Sequence, residues 1–175
     1  KFEMETLAVH EAEPGHHFQC SIQNESEISI IRKLSQYNAY VEGWALYAEK
    51  LAYENDFFSS VYHQLGHFSD ELMRAVRLVV DTGIHKKRWS KEKAVAYMAE
   101  VLGKPKSAVV SEIERYFVIP AQACSYKIGQ LKLLEIRKNL QDKLKEDFNI
   151  QDFHNLILQT ASVPLEILEE ICSQY

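Results

Sequence analysis

The chain has 175 residues, 46% hydrophobic and 26% charged, with a formal net charge of −5. These values are ordinary for one globular domain with a core of its own, and the acidic balance argues against a nucleic-acid partner, which would favour a basic face. No apolar run approaches the ~18 residues of a membrane span, and three scattered cysteines (Cys20, Cys124, Cys172) argue against a disulfide framework or a cysteine metal site.

The pattern along the chain predicts helices and no clear strand; only Phe117-Val118-Ile119 is β-like, and it is too short to carry a sheet. Lys1 to Glu13 reads as helix, interrupted at Glu13-Pro14-Gly15 and resumed from His16 to Ile22. Proline removes a backbone donor and crowds the preceding turn, and glycine tolerates the angles a bulge needs. Asn24 to Ser29 is polar and reads as a connector. A second helix is expected over Ser35–Glu54, where Val41, Ala45, Ala48 and Ala52 recur at helical spacing. Phe57 to His85 reads as a long third helix with a possible break at Gly66 and an apolar stripe of Leu72, Val76, Val79 and Val80. Ser90 suits the N-cap of a helix over Lys91–Val101, and Gly103-Lys104-Pro105 ends it. Ser107 is expected to cap a helix to Phe117. Pro120 suits the first turn of the next, which runs from Ala121 to Glu146 with Leu131, Leu134, Leu140 and Leu144 as core. Helices at Gln151–Gln159 and Leu165–Cys172 complete an all-α bundle, one domain over residues 1–175.

The chemistry concentrates in His10-Glu11-Ala12-Glu13-Pro14-Gly15-His16-His17. A hydrolytic zinc site uses three protein ligands with an open position for water, and the compact arrangement is two histidines four residues apart on a helix with a glutamate as base. His10 and His16 are six apart, which on an ideal helix separates them by about 120°. His10 and His17 share a face but sit roughly 10 Å apart along the axis. The Pro14-Gly15 bulge resolves this. If two residues loop out, His16 takes the second ligand position; if three do, His17 takes it. His16 is favoured, with His17 as the alternative. Glu42, in the apolar run Tyr40-Val41-Glu42-Gly43-Trp44, is the candidate third ligand, because an unpaired carboxylate there is costly to bury. Glu11 is the candidate base. Glu49, two turns beyond Glu42 on the same face, either orients a ligand histidine or pairs with Lys50 on the surface.

Further candidates follow from their positions. His85 ends the long helix, either as a donor to an oxyanion or as a histidine favoured at a helix C-terminus. Tyr126, in Ser125-Tyr126-Lys127-Ile128-Gly129, is the candidate phenol for the same oxyanion, against a plain core tyrosine. Arg77 suits a peptide C-terminal carboxylate as a planar donor, against an intrahelical pair with Asp70, Glu71 or Asp81. Arg115-Tyr116 either approaches such a carboxylate or covers the core. His63 and His67, four apart without a third ligand, read as surface or packing residues, and His154 as structural. Gly129 inside a helix points to a close backbone approach.

The strings HEAEPGHH, YVEGWALYAE, ELMRAVRLVVDTGIH, RYFVIPAQACSYKIG and FHNLILQ resemble, in order and over nearly the whole chain, the bacterial family known as domain of unknown function 885. That family is regarded as zinc metallopeptidases of the helical gluzincin group, and is similar at greater distance to the thimet-oligopeptidase and thermostable-carboxypeptidase folds. The resemblance implies the C-terminal part of a gluzincin-like fold, one zinc ion, a peptide substrate, and Gly15-His16 as the pair carrying the second ligand. It also implies a longer parent, with the missing N-terminal half forming the other wall of the cleft; a signal peptide would lie in that half, and no compartment is assigned. One departure is Ala121, where the family usually has glycine. Two other readings use the same residues: a non-catalytic helical module with an incomplete or degenerate metal site, and a metal-dependent hydrolase of non-peptide amides or esters. Cobalt or manganese would also suit a two-histidine, one-glutamate set.

Overall fold

A computed structural model describes residues 2–175. Among these residues the chain forms ten α-helices and no strand: α1 (Met4–Glu11), α2 (His16–Glu25), α3 (Ile30–Leu34), α4 (Asn38–Glu54), α5 (Val61–His85), α6 (Lys91–Leu102), α7 (Lys106–Val118), α8 (Gln122–Leu144), α9 (Ile150–Thr160) and α10 (Leu165–Ser173), with a single 3-10 turn at Lys145–Asp147. The all-α bundle expected from the periodicity is what the chain adopts.

α4 and α8 are the central pair. Their backbones touch at two glycines: a Cβ on Gly43 would lie 2.5 Å from the Gly129 Cα, and one on Gly129 would overlap the Ala39 carbonyl oxygen. The close approach read from Gly129 is therefore to α4. Around this seam two cores form. One packs Tyr40, Trp44 and Tyr47 of α4 and Leu133 and Ile136 of α8 against Phe153, Ile157 and Leu168. The other packs Val76 and Val80 of α5 against Met98, Val109, Ile113 and Tyr116 of α6 and α7. A small third cluster joins Val9 to Ala48, Ala52 and Phe58.

Several expected boundaries shift, each for a local reason. α5 is unbroken at Gly66; the glycine is there because the Phe2 backbone runs against it, where a Cβ would overlap the Phe2 carbonyl. Leu72 and Val79 point outward at 44% and 42% exposure, and Leu131 at 51%, so the buried stripes are narrower than the apolar composition suggested. α7 starts at Lys106 after Pro105, so Ser107 lies inside it rather than capping it. Ser90 caps α6 by accepting from the Lys93 amide, as expected, and Gly103 ends it in the left-handed region at φ 61°. Ile30–Leu34 is an additional short helix, and α4 begins at Asn38 rather than Ser35. The Phe117–Ile119 segment ends α7 instead of forming a strand.

Candidate metal centre

The predicted bulge falls between α1 and α2. α1 stops at Glu11 and α2 starts at His16. Gly15 lies so close to the end of α1 that a Cβ would overlap the carbonyl oxygens of Val9 and His10. The Pro14 carbonyl accepts a hydrogen bond from Trp44 Nε1 at 2.9 Å. Trp44 is two residues from Glu42, so this bond fastens the bulge to the part of α4 that carries the carboxylate.

The result brings His10, His16 and Glu42 together. One potential ligand atom from each lies within 4.8 Å of the others. Glu42 Oε2 is 3.3 Å from His16 Nε2 and 3.6 Å from His10 Nε2, and the two imidazoles meet edge-on at 86°. Bonds of 2.0–2.2 Å at a tetrahedral zinc put neighbouring ligand atoms about 3.4 Å apart, close to these separations. His10 Nε2 lies beyond hydrogen-bond range and His16 Nε2 makes no hydrogen bond to the carboxylate, so Glu42 Oε2 is buried without a partner, as is His16 Nδ1. A buried carboxylate oxygen without a donor is costly, and a cation between the three side chains would satisfy it. His17 is not part of the group; it is exposed and faces Glu13 at 3.6 Å.

Glu49 takes the orienting position. It is buried, and its Oε1 is 2.7 Å from His10 Nδ1, which leaves Nε2 facing Glu42. The expected alternative, Lys50, faces Glu54 at 3.5 Å instead. On the far side of Glu49 lies His67, its Nδ1 3.8 Å from Oε2. His67 is 2% exposed and stacked on Tyr53 and Phe58, so of the two histidines read as surface or packing, only the packing role fits it. His63 is the more open one, 3.1 Å from Glu5.

The electrostatics call for a positive charge here. Burial pushes the His10 pKa down, but the Glu42 and Glu49 carboxylates outweigh it and raise it to about 9. Burial pushes the Glu42 carboxyl up, and the imidazoles of His10 and His16 outweigh that and hold it at about 2.

The remaining predicted residues divide. The Tyr126 ring stacks on His10, with centroids 6.4 Å apart. The Arg77 guanidinium sits 4.6 Å from the centroid of the same ring. Its partners are not the intrahelical acids but Tyr116 Oη, which accepts from Nε at 3.1 Å, and Glu112 on α7, which accepts from Nη2 at 3.1 Å. Asp81 instead accepts from the Ala121 amide. Glu11 is exposed at the end of α1, directly after His10. His85 is not brought to the group. Its Nε2 is 2.8 Å from the Tyr116 carbonyl oxygen and its ring lies beside Phe117, which fits a residue anchoring the end of α5 rather than an oxyanion donor. His154 is structural, its Nε2 2.8 Å from the Tyr47 hydroxyl. Arg74, which the sequence did not single out, also places its guanidinium over Tyr126, 5.6 Å from the centroid.

Residues 1–171 match a family profile described as a bacterial protein of unknown function, DUF885. The chain belongs to this family. Among solved structures, the DUF885 chain is similar to a candidate lipoprotein from Colwellia psychrerythraea, at 44% identity and a TM-score of 0.96, covering 99% of this chain and 30% of that one. It is also similar to a candidate lipoprotein of unknown function from Shewanella oneidensis, at 26% identity and a TM-score of 0.88, covering 96% of this chain and 31% of that one. The chain thus spans about a third of the length of these structures. No curated protein matches it. No helix among the described residues is long and apolar enough to cross a membrane.

Proposed function

We propose that this DUF885 chain carries the metal site of a zinc-dependent metallopeptidase, with His10, His16 and Glu42 as ligands and Glu11 as general base. The observation that supports this most is the convergence of those three side chains around a buried carboxylate oxygen that has no partner. A zinc ion held there supplies a Lewis acid that acidifies water and polarises a carbonyl. Glu11, exposed beside His10, takes the proton from the attacking water and returns it to the leaving amine. Glu49 fixes the His10 ring so that Nε2 is the nitrogen offered to the metal. Tyr126, stacked on His10, donates its phenolic hydrogen to the carbonyl oxygen as charge develops there. The chain spans about a third of the two solved relatives, and in a protein of their length the remaining part would supply the opposite wall of the cleft.

Elemental analysis of the purified chain tests the metal. One zinc per wild-type chain is expected, falling to background in His10→Ala and Glu42→Ala. Glu11→Gln should keep the zinc and lose peptide hydrolysis by the full-length protein. Wild type that takes up no zinc after dialysis against the metal would sink the assignment.

A further inference from the structure

Beside the metal ligands lies a second group that none of the motifs pointed to as a unit. Three arginines gather around Tyr126. Arg77 and Arg74 lie over its ring. Arg115 reaches it through Gln122: Arg115 Nη1 donates to Gln122 Oε1 at 3.2 Å, and Gln122 Nε2 donates to the Tyr126 hydroxyl at 3.4 Å. The arginines come from α5 and α7, and Tyr126 from α8, so only packing brings them together.

Their counter-charges do not suffice. Glu112 accepts from both Arg77 Nη2 and Arg115 Nη2, at 3.1 and 3.2 Å, and also from the Tyr116 hydroxyl. Asp70 stands 3.6 Å from Arg74 Nη1, an ion pair without a hydrogen bond. Three guanidiniums thus face two carboxylates. Four nitrogens, Arg74 Nε and Nη1, Arg77 Nη1 and Arg115 Nε, are buried with no acceptor. The side chains of Arg74 and Arg77 are only 11% and 7% exposed, so water is a poor substitute. Buried guanidinium donors without acceptors are expensive and call for an anion. A guanidinium fork matches a planar carboxylate two bonds at a time. Arg115 and Glu112, each about a third exposed, leave the group open on one side.

We propose that Arg74, Arg77 and Arg115 bind the C-terminal α-carboxylate of a peptide, which makes the site a carboxypeptidase. The proposal rests on the metallopeptidase assignment above. Tyr126 neighbours both groups: its ring centroid is 6.4 Å from that of His10 and 4.6 Å from the Arg77 guanidinium. In the proposed pose, a peptide whose last amide carbonyl lies at His10, His16 and Glu42 directs its terminal carboxylate past Tyr126 toward the arginines. Hydrolysis breaks the final C–N bond. The water's hydroxyl joins the carbonyl carbon, and its proton reaches the departing nitrogen, giving a shortened peptide and one free amino acid.

The test is calorimetric titration of the full chain with three probes: N-acetyl-trialanine with a free carboxylate, the same peptide as its C-terminal amide, and an amide peptide ending in glutamate. The free acid should bind about tenfold or more tighter than either amide. That preference should disappear in Arg77→Gln and Arg74→Gln, while zinc per chain stays at the wild-type value. Equal binding of acid and amide, or no binding of the acid at millimolar concentration, overturns the proposal. So does an acid preference that survives both substitutions. Tight binding of the glutamate-ending amide overturns it too, by assigning the arginines to an acidic side chain. Should Arg77→Gln fail to fold, the wild-type comparison and the less buried Arg74→Gln still decide. Zinc content is read separately, so loss of the metal assignment and loss of the carboxylate site give different results.

Discussion

The α4–α8 seam and the wall formed by α1, α2, α4, α5 and α7 are built on opposite terms. The seam is satisfied: Gly43 meets Gly129, the Gln130 amide donates to the Leu46 carbonyl at 3.0 Å, and the Tyr40 hydroxyl donates to the Ile157 carbonyl at 2.9 Å. The wall is not. Among the described residues, the buried side-chain atoms without partners are those of His16, Glu42, Arg74, Arg77 and Arg115, together with Thr6 and His67. All but Thr6 belong to the metal group, to Glu49's far side or to the arginine group. Unsatisfied buried polar atoms destabilise a fold, and their concentration on one wall separates a region that holds the chain together from the one where the proposed sites lie.

The largest expected effect is on the seam. Gly129→Val places a branched side chain against the Ala39 carbonyl, and should lower unfolding free energy by about 3 kcal/mol in urea titration. If the seam and the wall are separate in role, the folded fraction of that variant still takes up zinc. A variant that unfolds no more readily than wild type would mean that the two helices can part without loss.

On the wall the sign should reverse. Arg74→Met removes a guanidinium with two buried nitrogens lacking acceptors; burial already pushes the Asp70 carboxyl up to about 6 against the pull of Arg74, so without that cation it takes up a proton more readily. Stability should stay level or rise by about 1 kcal/mol. A fall of more than about 2 kcal/mol in the same titration would show that Arg74 is a structural cation and would remove the contrast.

Acid sharpens the comparison from the side of the core. Burial, helped by Arg137, pushes the His154 pKa down to about 4 from its ordinary 6.5. A folded-state pKa below the unfolded one means that the folded chain disfavours the proton. The stabilisation is complete above pH 6.5 and is lost as pH falls toward 4. With the ring partly exposed, the loss from this residue between pH 7 and pH 5 is about 1 kcal/mol. Unfolding titrations at the two pH values should show it in wild type and not in His154→Gln.

The smallest effect belongs to Ala121. It holds φ at 67° just before α8, where a left-handed backbone suits glycine, and its amide donates to Asp81. Ala121→Gly should raise stability by about 1 kcal/mol, visible as a higher melting temperature. The position is therefore a conformational requirement at the entry to α8.

Much of this was legible in the residues. The helical periodicity predicted the all-α bundle, Pro14-Gly15 located the interruption, and His10, His16 and Glu42 stood out as side chains that the fold brings together, because a backbone bulge and a run of polar groups are local features written in the residues. Glu49 was readable as an orienting group from its seven-residue spacing to Glu42 on one helix face. What stayed hidden depends on separations in sequence that only packing closes. The choice between His16 and His17 turns on how far the bulge rotates α2, which Gly15 against Val9 and His10 and the Trp44–Pro14 bond decide. Arg74, Arg77 and Arg115 belong to two helices; Arg77 and Arg115 were each readable as carboxylate partners, but nothing in the sequence joins the three into one group. Their excess over Glu112 and Asp70 exists only once α5, α7 and α8 are packed. Likewise Leu72, Val79 and Leu131 are as apolar as any core residue, and their exposure follows from which face of a helix meets a neighbour. The sequence by itself determined the helices and the inventory of reactive groups; the tertiary structure decided which of those groups share one low-dielectric space, where an unpaired charge is costly to leave without a partner.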